Sequence, residues 1–454
     1  MQRVLQRLSL TLLALAGGLC AGAASARPNI LVILADDLGY GDVSTYGRHD
    51  VRTPHLDRLA AEGMLFTTMR ANGNVCSPTR AALLTGRHAD RVGVPGVLRT
   101  PGDALGSWGF VDPRVPTLAD ELRQAGYHTA LIGKWHLGLE SPNTPNERGF
   151  DHFHGTLFGN FSSYTTHLHH GVNHLRRNSE VIKPTGHLTD VFTDWAIDYL
   201  RERARKPEQS FFLYLAHFAP HDPVEPPADW LARVRQRDPQ LSTKRAAYVA
   251  LVEHLDHNLG RVLAGLKEGA QERNTLVIVT SDNGGALNHG AVNLPWRGGK
   301  TEHYDGGLRV PFVARWPGRI PAGSRSDYAG LVFDVFPTAL ELAGRPLAPD
   351  LDAVSLLPVF RGETPAAERD LYFVRREGGR TGGKSHEALI RGDWKFLQND
   401  PFSPFELYNL RDDPRETANL AADPAHRLRI NEMLAALAGH IRRGGGTPWQ
   451  PPRP

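Results

Sequence analysis

Four short runs in this 454-residue chain are apolar almost from end to end: Asn29-Ile30-Leu31-Val32-Ile33-Leu34, Thr129-Ala130-Leu131-Ile132, Phe211-Phe212-Leu213-Tyr214-Leu215 and Leu276-Val277-Ile278-Val279. A strand with one face in water alternates polar and apolar residues. A run without alternation is covered on both faces, as in a parallel sheet. Between the third and fourth runs, Leu251, Leu255, Leu259, Val262 and Leu266 recur at three- and four-residue spacing and stop near Gly269, which is one buried face of a helix. Strands alternating with helices predict an α/β fold: a large mixed, mostly parallel sheet flanked by helices. Around residues 362–369 the pattern shifts to shorter strand-like pieces at 371–374, 388–390 and 394–397, then an amphipathic helix over about 424–442. We read a catalytic-sized domain over 27–365 and a small α+β C-terminal domain of antiparallel sheet plus helix over 366–454, with a loose Gly/Pro-rich tail.

The first residues read as a signal peptide, residues 1–26. Arg3 and Arg7 precede an apolar run over 8–19, and Ala24-Ser25-Ala26 is a small-residue cleavage site. The run is too short to span a bilayer, and no later stretch suffices, so no membrane span remains after cleavage. The expected destination is the periplasm or the medium. The chain carries 52 Lys+Arg against 49 Asp+Glu, and the leader takes two arginines with it, so no global field favours nucleic acid. The leader also takes Cys20, leaving Cys76 alone. Exported chains use cysteines in pairs, so a single one is a buried passenger or a chemical reagent.

The neighbours of Cys76 point to the second. In Cys76-Ser77-Pro78-Thr79-Arg80, Pro78 suits the first turn of a helix, Ala81 to Leu84 propagate it and Gly86 ends it. Cys76 is then expected just ahead of a helix N-terminus, where free N–H groups favour an anion, with Arg80 in reach. Each apolar run is also followed by polar residues: Asp36 and Asp37, then Lys134 and His136, then His217 and His221, then Asp282 and Asn283. Ligands of open parallel sheets bind outside the carboxyl ends of the strands, so four segments deliver these groups to one edge. Asp36, Asp37, Asp282 and Asn283 offer only hard oxygens, which suits Ca²⁺ or Mg²⁺ rather than zinc or copper. A divalent cation, Arg80, Lys134 and Lys300 around one point trap a tetrahedral oxyanion, as sulfuryl or phosphoryl transfer requires. His221, in Pro220-His221-Asp222-Pro223, is the better acid–base candidate; His217 reads as a packed core histidine and is retained only as a substrate contact.

With these residues assembled, the chain resembles the type I sulfatases of the alkaline-phosphatase-like superfamily, the arylsulfatase and N-acetylgalactosamine-6-sulfatase kind. The residues from Cys76 through Arg87 resemble the sulfatase signature, Asn29 to Asp37 the opening metal strand, and Gly133-Lys134-Trp135-His136-Leu137-Gly138 the second motif. Ser281-Asp282-Asn283-Gly284-Gly285 resembles the metal return, and Gly298-Gly299-Lys300 through Pro311 the late active-site loop. Two positions depart from the pattern: Thr79 stands where the family most often has Ser, and Asp305 where it usually has Glu. The resemblance implies that a maturation enzyme oxidises Cys76 to Cα-formylglycine, that Asp36, Asp37, residue 76, Asp282 and Asn283 bind Ca²⁺ (or Mg²⁺), and that the aldehyde works as its geminal diol. One hydroxyl, activated by Asp282, attacks sulfur while Arg80, Lys134 and Lys300 hold the sulfate oxygens. His221, with Lys300, protonates the leaving alcohol. His136 then takes the proton of the second hydroxyl and sulfate is expelled.

Substrate choice lies outside this shared core. Candidate rim residues are His217, His303, Arg376 and Arg380, the last two in a cluster with Arg375, Lys384 and His386 that reads equally as a solvated loop. His152, His154, His167, His169, His170 and His174 form a polar rim or a metal site of their own, and His254 and His257 the wet face of their helix. Among substrates, a sulfated oligosaccharide is preferred to a simple aryl sulfate. A phosphonate or phosphodiester hydrolase on the same scaffold, and a non-catalytic glycan-binding relative, are the alternatives.

Overall fold

A computed structural model describes residues 27–99, 110–363, 369–377 and 385–445. The leader at 1–26, the domain boundary at 365/366, Arg380, Lys384 and the tail beyond 445 lie outside the described residues.

The large sheet holds ten strands: β1 (Asn29–Ala35), β2 (Met64–Phe66), β3 (His128–Lys134), β4 (His152–Thr156), β7 (Leu175–Arg177), β8 (Glu180–Val181), β9 (Phe211–Ala216), β10 (Thr275–Ser281), β11 (Phe312–Arg315) and β12 (Ser324–Ser326). A small ribbon of β5 (Leu168–His169) and β6 (Val172–Asn173) stands apart. The order is β12-β2-β11-β10-β1-β9-β3-β4-β7-β8, and β10, β1, β9, β3 and β4 run parallel at its centre. All four apolar runs fall in that centre. Their lack of alternation has a direct cause: Ile30, Val32, Leu34, Tyr214 and Ile278 enter one core, while Leu31, Ile33, Leu213, Leu215 and Val277 enter another on the opposite face.

Ten helices are described: α1 (Pro54–Ala61), α2 (Cys76–Thr85), α3 (Leu118–Gln124), α4 (Leu188–Ala204), α5 (Ala228–Arg237), α6 (Thr243–Glu268), α7 (Asp305–Leu308), α8 (Val335–Leu342), α9 (Leu357–Phe360) and α10 (Arg427–Gly444). α2, α3 and α8 cover the first face and α1, α4 and α6 the second. α6 is capped by Ser242, whose Oγ accepts from Arg245 N at 3.2 Å, and it ends at Gly269 as its leucine spacing predicts.

Register brings the strand ends level. Ala35 pairs with Ser281, and both Leu34 and Gly133 pair with Ala216. The residues that follow β1, β9 and β10, and Lys134 at the end of β3, therefore emerge at a common edge.

A second sheet of β13 (Leu371–Arg376), β14 (Ser385–Arg391), β15 (Trp394–Leu397) and β16 (Glu406–Asn409) is antiparallel throughout. Its strands alternate. Leu371, Phe373, Ala388 and Leu397 pack on Ala82 of α2, Leu308 and Phe333, whereas Tyr372, Val374, Leu389 and Phe396 meet Met433 and Leu437 of α10. This small sheet thus buttresses the helix that begins at Cys76. No helix among the described residues is long and apolar enough to cross a membrane.

Candidate active site

The helix α2 starts at Cys76 itself, two residues earlier than Pro78 suggests, so residue 76 occupies the first turn and is 3% exposed. Val75, the residue before it, supplies no side-chain cap, leaving the N-terminal turn free to face an anion. Gly86 closes the helix with φ 65°, its N–H on Ala82 O at 2.8 Å. Thr79 keeps the hydroxyl's work: its Oγ1 accepts from Gly73 N at 3.0 Å.

Around Cys76 the strand-end residues form one buried ionic cluster. Lys134 Nζ lies 2.5 Å from Asp36 Oδ2, Arg80 donates to Asp282 Oδ2 from Nη2 at 2.7 Å and Nε at 3.0 Å, and Lys300 Nζ donates to Asp37 Oδ2 at 2.7 Å. Asn283 Nδ2 donates to Asp37 Oδ1 at 2.7 Å. His221 Nε2 is 3.7 Å from Asp37 Oδ2. Among the described residues, Asp36, Asp37, Cys76 and His221 bring one donor atom each within 4.8 Å of one another. Two site residues adopt left-handed backbone, Asp37 at φ 65° and His136 at φ 59°. Such conformations persist only where surroundings enforce them. For Asp37 the enforcement is visible: its N–H is held by Asp282 Oδ1 at 3.1 Å and its carbonyl by Tyr248 Oη at 2.8 Å.

The electrostatics follow from burial set against these partners. Burial pushes the Asp36 carboxyl up, but Lys134, His221 and Arg80 outweigh it and hold it below its ordinary value. Asp282 goes the other way, raised by burial and by the neighbouring Asp36. Burial disfavours the Lys300 ammonium, yet Asp37 holds it firmly charged. The Cys76 thiol is pushed up to about 12, chiefly by burial, against the pull of Lys134 and Lys300. An unmodified thiol here is neutral and a poor nucleophile. Asp36 Oδ1 and Asn283 Oδ1 are buried with no hydrogen-bond partner. Orphaned oxygens beside two more carboxylates are what a hard divalent cation needs.

His136 and His221 flank this cluster with different hydrogen-bond arrangements. His221 Nδ1 donates to its neighbour Asp222 O at 2.7 Å, leaving Nε2 toward Asp37. His136 Nε2 donates to Leu98 O at 2.7 Å, and its Nδ1 is buried without a partner. Burial and the charges of Lys134 and Arg80 depress the His136 imidazole well below its ordinary value, so it stays neutral with a lone pair on Nδ1. The backbone at Gly159 makes room for this ring: a Cβ there would lie 2.2–2.5 Å from three of its atoms.

Several expected rim residues are placed elsewhere. His217 is 1% exposed, with both ring nitrogens unpartnered, among Ile33, Val252 and Leu255. It continues the alternation of Leu213 and Leu215 into the helix-covered face, so it does not reach substrate. His303 is fully buried, its Nδ1 3.1 Å from His386 Nδ1. Arg376 is engaged by Glu387 at 3.3 Å, and the buried Arg375 by Glu377 at 2.9 Å and by Thr301 O at 3.1 Å. His254 is buried rather than wet, with Nε2 2.9 Å from Asp190 Oδ1; His257 is exposed as expected. The histidines of 152–174 fall into pairs rather than one ligand group: His152 neighbours His154 with ring centroids 6.0 Å apart and His169 neighbours His170 at 4.2 Å, while His154 stacks on Trp195 at 3.4 Å, His167 bonds Gly186 O, and His169 and His174 flank Phe158.

Two supports of the site went unread in the sequence: Asn293, and the ion partners of Asp305, whose own place in the late loop was legible. Asn293 joins the Gly284-Gly285 turn to the approach of Lys300, accepting from Gly285 N at 2.8 Å and donating to Gly298 O at 3.1 Å. Asp305 is bonded by Arg70, Arg309 and Lys395, and its N–H by Glu416. The second group could have been sought among charged residues in apolar strand context, Lys395 between Trp394 and Phe396 being the clearest.

Comparisons with known proteins agree with this geometry. The family model "Sulfatase" matches residues 28–345, and "N-sulphoglucosamine sulphohydrolase, C-terminal" matches 299–442. Canine (Canis lupus familiaris) N-acetylgalactosamine-6-sulfatase is 36% identical over 406 residues, 84% of this chain and 73% of the relative. Mouse (Mus musculus) steryl-sulfatase is 31% identical over 542 residues, covering 93% and 83%. Among solved structures, Ps i-CgsB in complex with k-i-k-neocarrahexaose superposes with TM-score 0.83 at 30% identity, covering 92% of this chain and 93% of that one. The fold, the buried cluster at residue 76 and these matches together place the chain in the sulfatase family, whose members hydrolyse sulfate esters.

Proposed function

We propose that this chain is an exported, formylglycine-dependent sulfatase acting on a sulfated carbohydrate. The observation that carries the reading is the convergence on residue 76: three cations, three carboxylates, an asparagine and two histidines meet at the first turn of α2, where the thiol is held neutral. A structural cysteine has no need of that company, and burial disfavours a thiolate nucleophile there. Oxidised to formylglycine, the same position supplies a hydrated aldehyde, a nucleophile that can be regenerated. Asp36, Asp37, Asp282 and Asn283, with residue 76, fit Ca²⁺ (Mg²⁺ being the nearest substitute), which would supply charge stabilisation for the sulfate oxygens. Because residue 76 is 3% exposed, the maturation enzyme has to meet this segment before the chain folds.

The side chains divide the remaining work. Arg80, Lys134 and Lys300 surround the position of the sulfate group and balance its charge. His221, its orientation fixed through Nδ1 and its Nε2 3.7 Å from Asp37 Oδ2, delivers the proton that the leaving hydroxyl needs. His136, neutral with a free Nδ1 lone pair, receives the proton when sulfate departs. The carbohydrate preference rests on the relatives: the name N-acetylgalactosamine-6-sulfatase and the carrahexaose held by Ps i-CgsB are both carbohydrate chemistry. Mass spectrometry of the residue-76 peptide from protein made in its native host tests the mechanism, with an aldehyde expected and a free thiol overturning it. Turnover of matched sulfate and phosphate esters tests the chemistry, and a preference for phosphate would replace the reading with a phosphoester hydrolase.

A further inference from the structure

Outside the sulfate-ester site, three side chains from two helices converge on one point. His187 immediately precedes α4, Asp190 lies in its first turn and His254 is in the middle of α6. One donor atom from each falls within 4.8 Å of the others. We infer that His187, Asp190 and His254 form a second metal site, specific for a divalent transition ion of the Zn²⁺ class, that ties α4 to α6 behind the His221 loop.

Each ligand is prepared for such an ion. His187 Nε2 donates to Glu225 O at 3.0 Å, which leaves the lone pair on Nδ1, at present only a long 3.3 Å acceptor for Thr189 N. Metal-binding histidines characteristically donate their other N–H to a backbone carbonyl in this way. The contact of His254 Nε2 with Asp190 Oδ1, 2.9 Å, is close to the edge of a tetrahedral site, roughly 3.3 Å for zinc–ligand bonds of about 2.0–2.1 Å. An ion replacing the shared proton needs that pair to open by only a few tenths of an ångström. Asp190 is itself steadied, Oδ1 accepting from Asn258 Nδ2 at 3.0 Å. Arg261 approaches it at 3.7 Å but is paired with Asp194. Thr189 Oγ1, and His254 Nδ1 on the side of the ring away from Asp190, are buried without partners.

Two imidazoles and one carboxylate select differently from the all-oxygen set at residue 76. They suit zinc and its neighbours over calcium or magnesium. Access exists, because His187 and Asp190 are partly exposed, while Trp230 shields His254 with ring centroids 5.6 Å apart. The site also touches the catalytic loop. His187 stacks on Tyr164 at 4.8 Å, and Tyr164 Oη donates to His221 O at 2.9 Å. An ion at His187 therefore steadies the segment that presents His221.

The test uses the whole mature enzyme, stripped with chelator, reloaded with saturating Ca²⁺ and titrated with ZnCl₂. Zinc content after desalting and calorimetric affinity are compared for wild type, His187→Gln, Asp190→Asn and His254→Gln. Wild type is expected to retain one zinc more than each variant, with at least about 10-fold tighter binding, and to gain thermal stability on zinc addition that the variants do not. The difference between proteins is the readout, so zinc entering the sulfate-ester site does not confuse it. His187→Gln and Asp190→Asn alter partly exposed positions and decide the matter if the buried His254 variant does not fold. Equal zinc uptake in wild type and variants overturns the site, whatever the outcome at residue 76.

Discussion

Lys395→Met is the substitution whose effect the structure specifies most fully. Lys395 is fully buried on β15, with Nζ 2.9 Å from Asp305 Oδ1 and 2.7 Å from Glu416 Oε1. Burial pushes the Asp305 carboxyl up, but Arg70, Lys395 and Arg309 outweigh it and hold it well below the usual range. Glu416 is raised by burial, which Lys395 only partly offsets, and Asp305 adds to the rise. Methionine preserves the volume and removes the charge. Asp305 keeps two arginines; Glu416 loses its one ion pair among the described residues. Each contact is worth about 6 kcal/mol at an effective dielectric of about 20. Desolvation of the ammonium returns several kcal/mol, so the net cost of breaking the buried set is about 3–5 kcal/mol. With an unfolding entropy of about 2.1 cal/mol/K per residue over roughly 400 residues, about 4 kcal/mol lowers Tm by about 5 °C.

Scanning calorimetry at several pH values is the assay. An acid whose folded pKa is raised above its unfolded value destabilises the fold as pH rises between the two. The deficit of Lys395→Met therefore deepens from about pH 4.5 upward and is smallest in acid. Adding Glu416→Gln removes the stranded charge and recovers about 1–2 kcal/mol, a coupling expected of residues in contact. The late loop is anchored by the same group, so kcat falls with stability. A Tm change below 1 °C, or a deficit that is largest in acid, would refute the account of the cluster as a charge-matched anchor.

Unmatured protein should resist alkylation at Cys76. With the thiol at about 12, its thiolate fraction at pH 8 is on the order of 10⁻⁴, against roughly a quarter for an ordinary cysteine, so iodoacetamide labels it only after denaturation; rapid native labelling would contradict the burial argument. Gly159→Ala places a methyl 2.2–2.5 Å from the His136 ring and should cut kcat by about 100-fold, the lower end of the acid–base range; unchanged turnover would separate His136 from the chemistry. His217, depressed to about 3 by burial, stays neutral in the fold while the unfolded chain binds a proton below about 6.5. Its contribution is present above that value and is lost as pH falls toward 3. His217→Leu should thus flatten the acid limb of urea stability by about 1.4 kcal/mol per pH unit, and an identical slope would show that His217 does not titrate with unfolding.

The central sheet was legible because its strands bear side chains on two buried faces, and no local preference competes with that pattern. The candidate site was legible because parallel strands end together, so adjacency in space follows from adjacency to a strand end. Both signals fail for residues that act from elsewhere. Asn293 lies in a loop and works by bridging two glycine turns. Lys395 and Glu416 come from the second sheet and the loop after it, yet they close on Asp305. Asp305 lies 90 residues from Lys395 and 111 from Glu416, and no spacing rule connects them.

The histidines show the same limit from the other side. Composition drew attention to the stretch 152–174, where histidines are dense but meet only in pairs, His152 with His154 and His169 with His170. The convergent group, His187, Asp190 and His254, is spread over 68 positions of sequence and includes a histidine that helical periodicity assigned to solvent. Periodicity failed at His254 because α6 is buried on more than one side: α4 and α5 lie against the face that a two-layer protein would leave wet. A polar residue on such a helix is forced to find partners, and His254 finds Asp190 through one ring nitrogen only. Density of a residue type along the chain is therefore a weak guide to a site, while a polar residue caught between packed helices with capacity to spare is a strong one.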